Sequence, residues 1–176
     1  MNADGTIITE LNLSHNQWQV YNAVVRDFSW EVLSLFGDRG TGKSYVLAIS
    51  AIALCLEEVG HTVIISSHKA TEAKALLKTI VKLCKENRQI NNYIDWELTC
   101  STRLTFTTGS QIVLVYIEEG NYTEGQCSDT GIIIMQNVSY DSYARRFKPL
   151  FGASESPRIV KVECFNDRYK NIRIEL

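Results

Sequence analysis

Apolar residues are distributed along this chain in two alternating patterns. Short, near-continuous runs predict strands: Glu31–Phe36 (EVLSLF), His61–Ser66 (HTVIIS), Gly131–Met135 (GIIIM) and Arg158–Cys164 (RIVKVEC). Longer stretches with helical spacing predict helices over Ser14–Asp27, Lys43–Val59 and Ala70–Glu86. In the third of these, Leu76, Leu77, Ile80, Val81 and Cys84 fall on one face. Gly60 follows the second, where helix ends favour glycine. Arg103–Thr107 and Gln111–Ile117 flank Thr108-Gly109-Ser110, which reads as a hairpin. Ser139–Lys148 reads as a further helix and Asn171–Leu176 as a last strand. Pro149 and Pro157, the only prolines, bracket a loop rather than a linker.

Strands that are apolar throughout must be covered on both faces, which suits a parallel sheet between layers of helix. The expected fold is therefore three-layer α/β with a mostly parallel central sheet, right-handed crossovers and the hairpin as an antiparallel addition at an edge. At 176 residues, the whole of 1–176 reads as a single domain.

Composition narrows the class. With 45% hydrophobic and 22% charged residues, the chain is of ordinary globular type. A net charge of -2 gives bulk electrostatics no part in nucleic-acid binding, which would have to use a local patch. The five cysteines (Cys55, Cys84, Cys100, Cys127, Cys164) form no CxxC pair, so neither a zinc ribbon nor a disulfide framework fits; they read as reduced thiols. His15, His61 and His68 lack ligand spacing. The segment Met1–Glu10 is too polar for a signal peptide, and the longest apolar stretch, Tyr45–Leu56, is too short to span a bilayer. A cytosolic protein with no membrane partner is expected.

The chemistry concentrates between the first strand and the second helix. Gly37-Asp38-Arg39-Gly40-Thr41-Gly42-Lys43-Ser44 satisfies G-x-x-x-x-G-K-[ST] in full, after an apolar strand and before an apolar helix, the context the motif requires. The glycines let backbone N–H groups converge on phosphate oxygens, and the helix start adds positive potential. Lys43 is expected at the β/γ oxygens and the Ser44 hydroxyl at Mg²⁺.

GDRGTGKS resembles the GGRGSGKS loop of large terminase subunits, the P-loop ATPases that package viral DNA. Gln17 precedes the loop at about the distance of that family's adenine-binding glutamine. Thr62–Leu77 is similar to its second strand and following helix, Thr108–Ile112 to its "nGS.I.F" hairpin, and Arg158–Asn166 to the strand ending in its coupling motif. The resemblance implies an ATP-binding motor domain of RecA-like fold, with ATP and Mg²⁺ as cofactors. Its implied partners are double-stranded DNA, a portal, a small terminase subunit and further copies of the chain in a ring, in the cytoplasm or nucleus of an infected cell.

Two departures stand out. The family ends its third core strand in a carboxylate pair, whereas the aligned positions here are the amides Gln136 and Asn137. An amide accepts hydrogen bonds but takes no proton, so hydrolysis is expected to suffer while binding survives. Asp129, Asp141 and Glu163 are the alternative acids. Glu163 is the best of them, because the family places its strand between the loop strand and the acidic strand. Second, the family's nuclease domain is not expected within these 176 residues. A catalytically inactive, nucleotide-gated structural subunit and a helicase-like ATPase fragment are the alternative readings.

Individual residues keep competing roles. Gln17 is either an adenine contact or the last residue of a Ser14-x-x-Gln17 capping box, the two roles requiring a switch of partner. Arg39 is either a solvated loop residue or an arginine meeting the γ-phosphate in cis, which the resemblance favours. Asn166 is either a turn residue or a polar sensor of the γ-phosphate. Lys74, Lys78, Lys82 and Lys85 share a helix face that is either simply solvated, the commoner case, or in contact with a DNA backbone. Arg145-Arg146 reads as surface charge in preference to a finger acting in trans.

Overall fold

The computed structural model describes residues 12–27, 29–30, 32–37, 40–67, 70–116, 130–136, 158–162 and 172–175. In chain order the elements are α1 (His15–Val25), β1 (Val32–Phe36), α2 (Lys43–Glu57), β2 (Thr62–Ser67), α3 (Ala70–Glu86), the short α4 (Arg88–Asn91), β3 (Ile94–Cys100), β4 (Arg103–Phe106), β5 (Gln111–Tyr116), β6 (Thr130–Gln136), β7 (Arg158–Val162) and β8 (Ile172–Glu175). The expected helix at Ser139–Lys148 lies outside the described residues.

Among the described residues, eight strands form one sheet in the order β3-β4-β5-β2-β6-β7-β1-β8. Strands β1, β2, β5, β6, β7 and β8 run parallel, and β4 and β3 add to the β5 side antiparallel. The hairpin's first strand, β4, adds antiparallel on the edge side, as expected. Its second strand, β5, pairs parallel with β2 along its whole length, and the true edge is β3, which the sequence pattern did not reveal.

Both sheet faces are buried, as runs of apolar residues require. Leu33, Leu35, Val63, Ile65, Ile132, Ile134 and Val160 belong to the main core with the helices. Ile64, Ile133 and Ile159 are buried on the opposite face, together with the polar Ser34, Ser66 and Lys161. Helix α2 is buried at ten consecutive positions, Val46 to Cys55, because it packs against α1 and α3 as well as the sheet. A helix buried all round needs no polar face, and this one has apolar or small residues at each of those positions. Helix α3 is amphipathic: Ala73, Leu76, Leu77, Ile80 and Cys84 are buried. Helix α2 ends at Glu57, two residues before the expected boundary, and Gly60 at φ 72° turns the chain into β2. Among the described residues no helix is long and apolar enough to cross a membrane.

Candidate functional site: a phosphate loop clamped by Gln17

The loop after β1 enters α2 through Gly42, which sits at φ 86° and caps the helix without a side chain. Gly40 also lies at positive φ, 88°. L-residues avoid this region, so glycine here is a backbone requirement. A helix start leaves its first N–H groups without intrahelical carbonyls. With no capping side chain over them, they and the helix dipole favour an anion at this end. The Lys43 ammonium lies within the loop, donating to the Gly37 carbonyl and to Thr41 Oγ1 at 3.4 Å. Ser44, in the first turn of α2, is exposed. Glycines at positive φ, a lysine folded into the loop and an exposed hydroxyl beside it are the donor set a magnesium-bound polyphosphate needs. Asp38 and Arg39 lie outside the described residues.

Gln17 takes the capping-box role here. Its Oε1 accepts from the Ser14 N–H at 2.9 Å while the Gln17 N–H donates to Ser14 Oγ at 3.3 Å, completing the capping box of α1. The other end of the same amide donates from Nε2 to the Thr41 carbonyl at 3.4 Å. One side chain thus starts α1 and ties it to the phosphate loop. The contact is close: a Cβ at residue 42 would lie 2.1 Å from Gln17 Nε2, so Gly42 is required by space as well as by conformation.

Strand order brings Gln136 to the same end of the sheet. Leu35 of β1 is in register with Val162 of β7, Val162 with Gln136 of β6, and Gln136 with Ser67 of β2. Gln136 is thus the last residue of β6 and sits about 10 Å from β1, two strand spacings away. Strand β7 lies between β1 and β6, the position the resemblance implied for the strand that leads to Glu163. Glu163 itself, Asn137, Asn166, Asp129, Asp141 and Arg145-Arg146 lie outside the described residues. This edge lies at the carboxyl ends of the parallel strands, where open α/β sheets bind ligands.

Two features escaped the sequence reading. Ser67, fully buried at the end of β2, donates to Glu72 Oε2 at 2.9 Å, holding a carboxylate of the first turn of α3 near the end of β2. Lys161 is buried to 5% exposure in the middle of the sheet, in register with Ser34 and Met135. Neither is signalled by spacing; only the strand order reveals them. Among the described residues no group of three or more His, Cys, Asp or Glu side chains converges to hold a metal.

No protein-family model matches the sequence, and no curated protein matches it either. Solved structures do. The HK97 bacteriophage large terminase matches with a TM-score of 0.71 at 17% identity, over 87% of this chain and 33% of that one. The large terminase ATPase domain of Thermus phage P74-26 matches with a TM-score of 0.69 at 10% identity, over 93% of this chain and 68% of that one. A mutant of the same domain gives 0.68 at 10%, over 93% and 69%. The chain spans a third of the HK97 protein. Its fold is that of the phage large terminase ATPase domain.

Proposed function

We propose that this chain is an ATP-binding motor domain of the kind that drives viral DNA packaging. The observation that carries the reading is the loop itself: positive-φ glycines, Lys43 inside it, and Gln17 bridging it to α1, at the carboxyl edge of a sheet with the terminase ATPase fold. In this reading the loop amides and Lys43 hold the β- and γ-phosphates, and an anion entering the loop takes over the ammonium from the Gly37 carbonyl. Gln17 gives up its bonds to Ser14 and Thr41 for the adenine contact, which favours ATP over GTP. Ser44 would hold Mg²⁺, which when bound neutralises phosphate charge. Arg39 meets the γ-phosphate in cis, and Asn166 reports its loss to the coupling strand. The partners are double-stranded DNA, further copies in a ring, a portal and a small terminase subunit.

Gln136 at the end of β6 favours a second reading, a nucleotide-gated subunit that binds without turnover. In the motor reading the missing base is Glu163, one residue beyond β7. The deciding experiment measures Mg-ATP hydrolysis by the purified chain with and without double-stranded DNA, with Lys43→Ala as the blank. Turnover above the blank that rises with DNA supports the motor. Binding of a fluorescent ATP analogue without turnover supports the gated subunit. Binding by wild type and Lys43→Ala alike overturns both.

A further inference from the structure

An amide at the end of β6 leaves one task of the phosphate site without a charged group. The carboxylate pair implied by the resemblance divides two tasks, a base for the attacking water and an acid on the water shell of Mg²⁺. In the motor reading Glu163 takes the first. Gln136 is a poor choice for the second, because its side chain brings no charge to a hard cation.

The sheet register supplies a replacement one strand away. Gln136 pairs with Ser67, the last residue of β2. Ser67 is fully buried, and its hydroxyl donates to Glu72 Oε2 at 2.9 Å. Glu72 is half-buried in the first turn of α3. Its carboxylate is thus held at the carboxyl edge of the sheet, on a strand one spacing, about 5 Å, from β6. Of the other described acids, Glu175 also reaches this edge, but it ends β8 beside Phe36, on the far side of β1 from β6. Glu58 lies at the opposite edge, with the His61 that precedes β2.

An acid in a first turn is stabilised by the helix dipole whatever it touches, so position alone decides nothing. The dipole asks for no particular rotamer, however, and the Ser67 bond fixes one. A carboxylate has about four acceptor positions, so one hydroxyl orients it without neutralising it. Carboxylates that serve a metal are themselves held by such bonds.

We infer that Glu72, aimed by Ser67, is the carboxylate that serves the Mg²⁺ of the bound nucleotide in place of an acid at Gln136. Ser44 remains the expected direct ligand, and Glu72 contributes charge and hydrogen bonds to the water around the ion. The inference rests on the nucleotide-binding part of the proposed function and not on turnover, so it applies to the motor and to the gated subunit alike.

The test is the affinity of a fluorescent ATP analogue with excess Mg²⁺ and again in EDTA, together with Mn²⁺ binding to the nucleotide complex followed by electron paramagnetic resonance. Neither readout needs turnover. Wild type is expected to bind the analogue more tightly with Mg²⁺. Glu72→Gln is expected to weaken Mn²⁺ binding to the complex by about 10- to 100-fold and to bring the two analogue affinities together. Its affinity in EDTA should hold or rise, because a negative charge beside the polyphosphate is gone. Ser67→Ala, which leaves α3 intact, should lower Mn²⁺ affinity by a smaller factor, and it decides the matter if Glu72→Gln does not fold. Adding Gln136→Asp to Glu72→Gln should restore Mn²⁺ affinity, since the acid returns one strand closer to the loop. The inference is overturned if neither Glu72→Gln nor Ser67→Ala lowers Mn²⁺ affinity. It is equally overturned if Glu72→Gln weakens the analogue alike with Mg²⁺ and in EDTA, the mark of a helix-start role alone. Failure of the nucleotide reading looks different: wild type itself binds no analogue under either condition, and the inference falls with it.

Discussion

Gly42 offers a sharp test of how the phosphate loop is held. Alanine there faces two separate costs. The first is conformational: φ of 86° is unfavourable for any L-residue by about 1–2 kcal/mol. The second is steric: the new Cβ would sit 2.1 Å from Gln17 Nε2. That atom ends a flexible side chain, so it moves aside, and the cost is the two hydrogen bonds the amide makes, to the Thr41 carbonyl and from the Ser14 N–H. At a net ~0.5 kcal/mol each for exposed or long bonds, the second cost is about 1 kcal/mol. Gly42→Ala should therefore destabilise by about 2–3 kcal/mol. Gly40→Ala, at φ 88° with nothing within 4 Å of its Cβ, should show the conformational cost alone, about 1–2 kcal/mol. Gln17→Ala should cost about 1 kcal/mol. The decisive quantity is the coupling. In Gln17→Ala the clash is gone, so Gly42→Ala adds only the conformational part, and the double variant falls short of additivity by about 1 kcal/mol. Urea unfolding of the four proteins measures it. Strict additivity, within about 0.3 kcal/mol, would refute the idea that Gln17 packs on the loop.

Further outcomes are expected. If the amides at the end of β6 are what blocks turnover, Gln136→Asp with Asn137→Glu should raise Mg-ATP hydrolysis by at least about tenfold, since a positioned base contributes 10²–10⁴-fold; an unchanged rate with intact ATP binding would return attention to Glu163. Burial pushes the Cys84 thiol up to about 12 and raises that of Cys55 further, whereas hydrogen bonds with Thr102 hold the exposed Cys100 below the usual thiol range. Brief alkylation at pH 8 read by mass spectrometry should therefore label Cys100 on the order of 10³-fold faster than Cys84 or Cys55; equal labelling would contradict the packing of α2 against α3. Burial lowers the His61 pKa, with the Arg158 charge acting the same way, while the neighbouring Glu58 at 2.6 Å opposes them. The unfolded chain then takes up this proton first, so the stability His61 contributes is present above about pH 6.5 and lost as pH falls through the lowered folded value. Unfolding midpoints of wild type and His61→Gln should converge or cross on acidification, and a constant difference between them would exclude this linkage.

Much of the fold was legible because its signals are local. Four apolar runs had to be strands covered on both faces, and each is; the boundaries of α3 match to the residue. Strand β3 was not legible because its alternation fails. Asp95 folds its carboxylate onto the N–H groups of Glu97 and Leu98, the pairing with β4 shifts register there, and Trp96 and Leu98 face solvent. Such a bulge blunts a sheet edge, and it also erases the period by which a strand is recognised.

The amino-acid sequence alone determined the phosphate loop, because its chemistry needs particular residues at fixed short spacing between a strand and a helix. It also determined the layered α/β class, because apolar periodicity is written in consecutive residues. The tertiary structure decided everything that depends on distant segments meeting. Only the strand order β6-β7-β1 brings Gln136 to the loop's edge and seats Lys161 inside the sheet. Only the packing of α1 against α2 lets one amide, 24 residues before Thr41, cap a helix and clamp the loop together.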